Sequence, residues 1–423
     1  MNLGNKLSLS RKARTPFGIK GERIDYSVSV ANIPAVVPSS YRKISVKFPK
    51  GVEGMKIVPE SPKLVFNFDI TGDSDSWPVN NLAANLVKDR ELKWGSTEIE
   101  KIPNYYVYRT YKDLWLTEHQ RFNLVTHGIQ SINLSKLRSG ATSGNANAKE
   151  SPNEVIINRV YGNKYEIPLD FSFLSDHHPF YPYIYPEDIQ IDITLNSPEL
   201  VINSTDPTAK PDYILSNIRL EYSTVYEPQL TNQIVQLSDS VHGITYFYDY
   251  ISFMGMNPIK QSDLSFKLSI QDKRRSVRGI LLLFTLPPEK ANRNSEKFFN
   301  PQLENVDISI NGTTHKIFAD GYKEDKMYRE AKKFFMSENR KLDELSCVSA
   351  YRFYDTDYCL WLDTRSTEDN NLHGTGLKIE DGFNIDLMCT KRNTGSGNIN
   401  VYTYLIADAL FTLLNRRATN PVY

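Results

Sequence analysis

From Ile44 onward the chain alternates between apolar and polar side chains. Ile44, Val46 and Phe48 recur at every second residue, followed by Leu64, Phe66, Phe68 and Ile70, then Ile189, Ile191, Ile193 and Leu195, then Ile218, Leu220 and Tyr222. The period returns in Leu264, Phe266, Leu268 and Ile270, in Val306, Ile308 and Ile310, and in Phe383, Ile385 and Leu387. Successive side chains of a strand point to opposite faces, so each stretch predicts a strand with one apolar and one polar face. Gly279 to Leu286, GILLLFTL, is apolar throughout and predicts a strand buried on both faces.

Helical spacing is scarce. A helix is expected from about Leu114 to Val125, with Trp115, Phe122 and Val125 on one face. A second is expected from Lys323 to Phe335, with Met327, Ala331 and Phe334 together. Strand groups interrupted by short helices and long connections predict an all-β chain of jelly-roll or other Greek-key sandwiches, not a βαβ layout.

The 423 residues are enough for two such units. YEPQLTNQ, Tyr226 to Gln233, closes one strand series and precedes another, placing a boundary near 229. The expected organisation is an arm at 1–25, one sandwich at 26–229 and a second at 230–423. Ser135 to Asn153 is rich in Gly, Ala, Ser and Asn and is expected to be an exposed loop.

Charge adds only local information. Fifty basic residues balance fifty acidic ones, so no global field calls for an acidic partner. Residues 1–20 hold Lys6, Arg11, Lys12, Arg14 and Lys20 and no acid, a basic arm suited to a frayed end or to contact with nucleic acid or a neighbouring subunit. Lys273, Arg274, Arg275 and Arg278 precede GILLLFTL and are expected to guard a strand edge, the alternative being a subunit or nucleic-acid contact. Cys347, Cys359 and Cys389 are odd in number and widely spaced, and are expected to be reduced core thiols. The opening residues lack the apolar run of a secretion signal, and no stretch has the length of a membrane span. A cytosolic origin is therefore expected, and the sequons at Asn133, Asn203 and Asn311 are expected to be unmodified.

The sequence contains no phosphate loop, dinucleotide fingerprint, HExxH or GxSxG elbow. His177 and His178 are adjacent, point to opposite faces of an extended chain, and fit loop packing better than a metal site. Asp73 and Asp75 supply too few oxygens for calcium and are expected in a turn. Asp355, Asp357 and Asp363 include a conceivable glycosidase carboxylate pair, weighed against a strand with one wet face. No catalytic, cofactor or metal residue is assigned. Twenty-five tyrosines, concentrated in NYYVYRTY and FYPYIY, suit core corners and subunit interfaces alike.

KYEIPLDFSFLSDHHPFYPYIYPEDIQIDITLN, with LSNIRLEY downstream, resembles a segment of double jelly-roll major capsid proteins. VRGILLLFTLPPEKANRNSEKFFNPQLENVDISINGT, Val277 to Thr313, and LWLDTRSTEDNNLHGTGLKIEDG, Leu360 to Gly382, follow in collinear order. The last is similar to capsid-like proteins of Polinton (Maverick) elements and adintovirus-like viruses. This resemblance implies two jelly rolls side by side, homotrimeric capsomers with a pseudo-hexagonal outline, and an icosahedral shell around double-stranded DNA. It also implies a virion location, penton or minor capsid proteins as partners, and no enzymatic activity. Pro168, Pro179, Pro182 and Pro186 would then stiffen a corner filled by Phe180, Tyr181, Tyr183 and Tyr185. Two further readings stay open: a carbohydrate-binding or glycoside-cleaving sandwich using Asp355 and Asp363, and a minor vertex or spike protein with a single jelly roll.

Overall fold

The computed structural model describes residues 22–30, 33–48, 51–73, 76–130, 157, 159–174, 180–204, 206, 208–287, 294–314, 321–338, 348–366, 374–379, 384–419 and 421–423. Eight strands carry the first half: β1 Glu22–Ser29, β2 Lys43–Phe48, β3 Lys63–Thr71, β4 Val87–Trp94, β5 Thr97–Ile102, β6 Lys164–Pro168, β7 Ile189–Leu195 and β8 Asp212–Tyr226. They pair antiparallel in the orders β1-β8-β3-β6 and β2-β7-β4-β5. Eight more carry the second half: β9 Ile244–Lys260, β10 Ser265–Gln271, β11 Arg274–Thr285, β12 Leu303–Ile310, β13 Thr313–Thr314, β14 Cys359–Asp363, β15 Asn384–Lys391 and β16 Asn398–Leu414. Their orders are β9-β16-β11-β14 and β10-β15-β12-β13. Adding eight to every label of the first sandwich reproduces the second. One jelly-roll topology is therefore used twice, although the sequence shows no residue-level repeat. Further short strands extend the first, third and fourth of these sheets, and Ser76–Pro78 pairs with Ile202–Ser204 as a separate two-stranded sheet.

The alternation was a sound guide. Ile44, Val46 and Phe48 are buried, as are Ile189, Ile191, Ile193 and Leu195. The Phe48 and Tyr222 rings meet edge-on at 5.4 Å, so this face of β8 looks across to β2 of the companion sheet. In β11 every residue from Ser276 to Phe284 is buried, as a strand covered on both faces requires. Gly279 lies here because a Cβ would stand 2.2 Å from the Trp361 ring. Cys359 and Cys389 are buried free thiols; Cys347 lies outside the described residues.

The helices differ from expectation in several places. The tyrosine-rich run forms α2, Tyr105–Leu114, which follows the single turn α1, Leu82–Leu86. The helix expected over Leu114 to Val125 is absent as a unit: α2 ends at Leu114 and α3, Glu118–Asn123, begins afresh. Thr117 is the reason. Its Oγ1 accepts from Gln120 N at 3.1 Å while Gln120 Oε1 accepts from Thr117 N at 2.9 Å, a capping box that starts a new helix. Trp115 is buried but Phe122 is 54 % exposed, so the two share no face. After α4, Thr231–Ser238, the expected second helix appears as α5, Glu324–Glu338, with Met327, Ala331 and Phe334 buried. A short α6, Ala350–Asp355, was not foreseen.

Candidate functional site

The built-up region of this molecule is the seam between the sandwiches, and α2 organises it. Asn104, in the left-handed region at φ 51°, turns the chain out of β5, and its N–H donates to Asp89 Oδ1 at 2.9 Å. At helical spacing the run NYYVYRTYKDLW then separates two kinds of side chain. Tyr106, Tyr108 and Tyr111 meet the second sandwich. The Tyr106 and Tyr402 hydroxyls stand 3.5 Å apart, the Tyr108 and Tyr404 rings 5.6 Å apart, and Tyr111 donates to Asp357 O at 3.1 Å. Tyr404 returns a bond to Asn104 O at 2.8 Å. Trp115 continues the contact by stacking on Phe335 of α5 at 5.4 Å.

Tyr105, Arg109 and Asp113 line a charged network on the first sandwich. Arg90 donates to Asp170 Oδ1 at 2.9 Å, to Tyr105 Oη at 3.0 Å and to Glu100 Oε1 at 3.2 Å. Its guanidinium lies over the Tyr105 and Phe171 rings at 4.0 and 4.3 Å. Arg109 donates to Asp113 at 2.9 Å and to Asp170. Burial pushes the Glu100 carboxyl up to about 7 against the pull of Arg90. Burial would raise Asp170 too, but Arg109 and Arg90 outweigh it and hold that carboxyl well below the usual range.

A second clasp crosses the seam. Arg121, wholly buried, donates to Glu296 Oε1 at 2.7 Å, and Asn80 donates to the other oxygen of the same carboxylate. Ser295 Oγ closes the loop by donating to Asn80 O at 2.8 Å. The Pro-rich corner adds apolar contact. Phe180 and Tyr185 pack on Trp94 at 4.9 and 5.5 Å, and Trp94 lies 5.9 Å from Phe411 of β16. Pro182 opens the single 3-10 turn that sets this corner.

Space for a ligand is small at the seam. The cavity between Arg90, Tyr105, Arg109, Asp170 and Asp249 holds 50 Å³, room for a few water molecules and far below the roughly 300 Å³ of a small-molecule site. A groove of 350 Å³ runs between edge strands β1 and β2, lined by Val28, Ile33, Tyr41, Val46, Phe48 and Leu220. The glycosidase reading loses its carboxylates. Asp355 closes α6, Asp357 is buried against Arg352 at 2.7 Å with its carboxyl raised by burial to about 6, and Asp363 is paired with Arg365. The alternating wet-faced strand expected there is corrected likewise: α6 occupies its start, and Cys359 to Leu362 are all buried.

The basic cluster before GILLLFTL is no edge guard. β11 is flanked by β16 and β14, and Arg278 is buried in contact with Asp249. Arg274 reaches Asp272 at 2.8 Å and lies over the Tyr250 and Tyr423 rings. Asp73 accepts from Ser76 Oγ at 2.6 Å and Ser204 Oγ at 2.7 Å, within the expected turn. Among the described residues no three His, Cys, Asp or Glu side chains are placed to hold a metal ion, and no helix is long and apolar enough to cross a membrane. Lys6, Arg11, Lys12, Arg14, Lys20, His177, His178, Asp75, Pro179 and the loop Ser135 to Asn153 lie outside the described residues.

Sequence reasoning missed the buried charges of the first sandwich beside the seam, but one signal was present. In β4, Arg90 occupies the same phase as buried Leu92 and Trp94, a charge where the alternation demands an apolar side chain.

No protein-family model and no curated protein matches the sequence. Solved structures do. The chain is similar to PBCV-1 VP54, as fitted into a reconstruction of the virophage Sputnik, at 12 % identity and TM-score 0.59 over 97 % of this chain and 99 % of that one. A chain of the Sputnik virophage structure gives 10 % identity and TM-score 0.57 over 96 % and 90 %. The Faustovirus major capsid protein gives 8 % and 0.59 over 96 % and 92 %. At these identities the likeness is one of fold: the chain is a double jelly roll along nearly its whole described length.

Proposed function

We propose that this protein is the major capsid protein of a double-stranded DNA virus or virus-like element, acting as a building block and not as a catalyst. The observation that carries this reading is the twice-used jelly-roll topology, matched end to end by solved chains of which one is a major capsid protein. The seam supports it. The buried Arg121–Glu296 pair and the tyrosine contacts hold the two sandwiches to each other, and a subunit whose parts are fixed loses little freedom when it joins a lattice. In this reading residues 26–229 and 230–423 form the two units, every labelled strand pair falling on one side of that boundary. Three 48.5-kDa chains form a closed capsomer of about 146 kDa, which then meets penton or minor capsid proteins in the virion. Of the arm expected at 1–25, residues 22–25 belong instead to β1, where they pair with β8; the residues before them, through Lys6, Arg11, Lys12, Arg14 and Lys20, contact the genome or a neighbouring subunit.

The test is electron microscopy of the purified protein with light scattering. Three-lobed particles on a six-sided base, with the trimer mass, are expected. A lasting monomer that binds glycans would replace this reading with the carbohydrate one.

A further inference from the structure

Val28 is out of keeping with its position. It lies opposite Leu220 in the β1-β8 pair, two residues from Tyr26, whose ring stacks on inward-facing Tyr222 at 5.0 Å, so Val28 too turns to the core side. Leu220 is 2 % exposed, yet Val28 is 40 % exposed. The reason is the 350 Å³ groove, which opens between the two sheets and is lined by Val28, Val46, Phe48 and Leu220. Among the described residues β1 pairs lengthwise with β8 alone and β2 with β7 alone, so each carries a free backbone edge. A free edge beside an apolar groove fits an added strand with apolar side chains at every second residue.

The chain itself supplies such a strand. Leu3, Leu7 and Leu9 fall at odd positions of the arm and Lys6, Ser8 and Ser10 at even ones, so in extended form the leucines share one face. Residues 10–21 then span about 40 Å at roughly 3.3 Å each, against about 26 Å for the whole of β1. That is enough to leave β1 and reach another chain. A fold-back onto the same β1 would crowd Arg11, Lys12, Arg14 and Lys20 into the turn beside Arg23, whereas an arm that crosses to a neighbour holds these like charges apart. Charge does not draw the arm in. At the rim Lys43 is held by Asp192 at 2.9 Å, and Lys47 and Asp188 are opposite in sign. The attraction is apolar burial and edge pairing, which salt does not screen.

We infer that the groove between β1 and β2 takes residues 3–9 of the arm of a neighbouring copy as an added strand, with Leu7 and Leu9 filling it beside Val28. The inference rests on the capsid reading above. It divides the arm into an apolar docking part and a basic spacer, Arg11 to Lys20, that crosses from one copy to the next.

The experiment assembles particles under mild oxidation from a mixture of two full-length chains, one carrying Leu9→Cys and the other Val28→Cys, beside a preparation carrying both substitutions in one chain. Disulfide-linked dimers are expected from the mixture, at the same yield in high and low salt. Adding Leu3→Ser and Leu7→Ser to the first chain is expected to lower that yield about tenfold or more, since each leucine loses its burial. Particles without dimers, a disulfide that forms only within the doubly substituted chain, or a dimer yield that falls with salt and ignores the serine changes would each overturn the docking and leave the capsid reading standing. A wild type that assembles no particles overturns both.

Discussion

Single residues in this chain are constrained by what lies across the sheet. Gly279 carries no side chain because the Trp361 ring and Leu362 O occupy that volume, the latter 2.8 Å from where a Cβ would stand. Gly279→Ala must therefore push a buried indole and a backbone carbonyl apart, at a cost of about 1–3 kcal/mol. Urea unfolding is expected to show a lower midpoint with an unchanged slope. Glu100 is constrained by charge. Its carboxyl is raised by burial from 4.5 to about 7, so the folded chain holds that proton more tightly than the unfolded chain. Stability from this group is complete below pH 4.5 and declines as pH rises to about 7. Asp357, raised to about 6, adds the same sign, whereas Asp170, held low, acts oppositely and only as pH falls below 3.8. Glu100→Gln is expected to flatten the fall in melting temperature between pH 4.5 and 7; an identical pH profile would remove Glu100 from this role.

At the scale of elements, β-strands were legible where one face is wet and helices where the apolar spacing is regular. β2, β7 and α5 follow directly from side chains at period two or period 3.6. α2 escaped because its tyrosines are buried on several sides: Tyr105, Tyr106, Tyr108 and Tyr111 are all under 8 % exposed, so no single stripe marks a helix. The break before α3 was written in Thr117 and Gln120, a cap whose signal is local but was overridden by the apolar spacing of Trp115, Phe122 and Val125. Asp355 and Asp357 misled for a related reason. Alternating acids near a buried strand imitate a wet face until α6 and Arg352 account for them.

At the scale of the whole molecule, the seam joins the two sandwiches through Arg121 and Glu296 and through the tyrosines of α2. In the capsid reading proposed above, the basic arm has a role separable from the fold. Deleting residues 1–20 is expected to lower particle yield or packaged DNA while the melting temperature of the trimer stays as in wild type, since the labelled strands begin at Glu22. Unchanged yield and DNA content would remove the arm from assembly.

What the sequence determined alone is the all-β character and the doubled series of strands, because side-chain alternation is a local property. What only the tertiary structure decided is which side chains close the seam. Arg121 and Glu296 lie 175 residues apart, and nothing near either one records the other. Their pairing exists because two copies of one topology are packed together, and a buried charge keeps its place only when the whole fold delivers its partner.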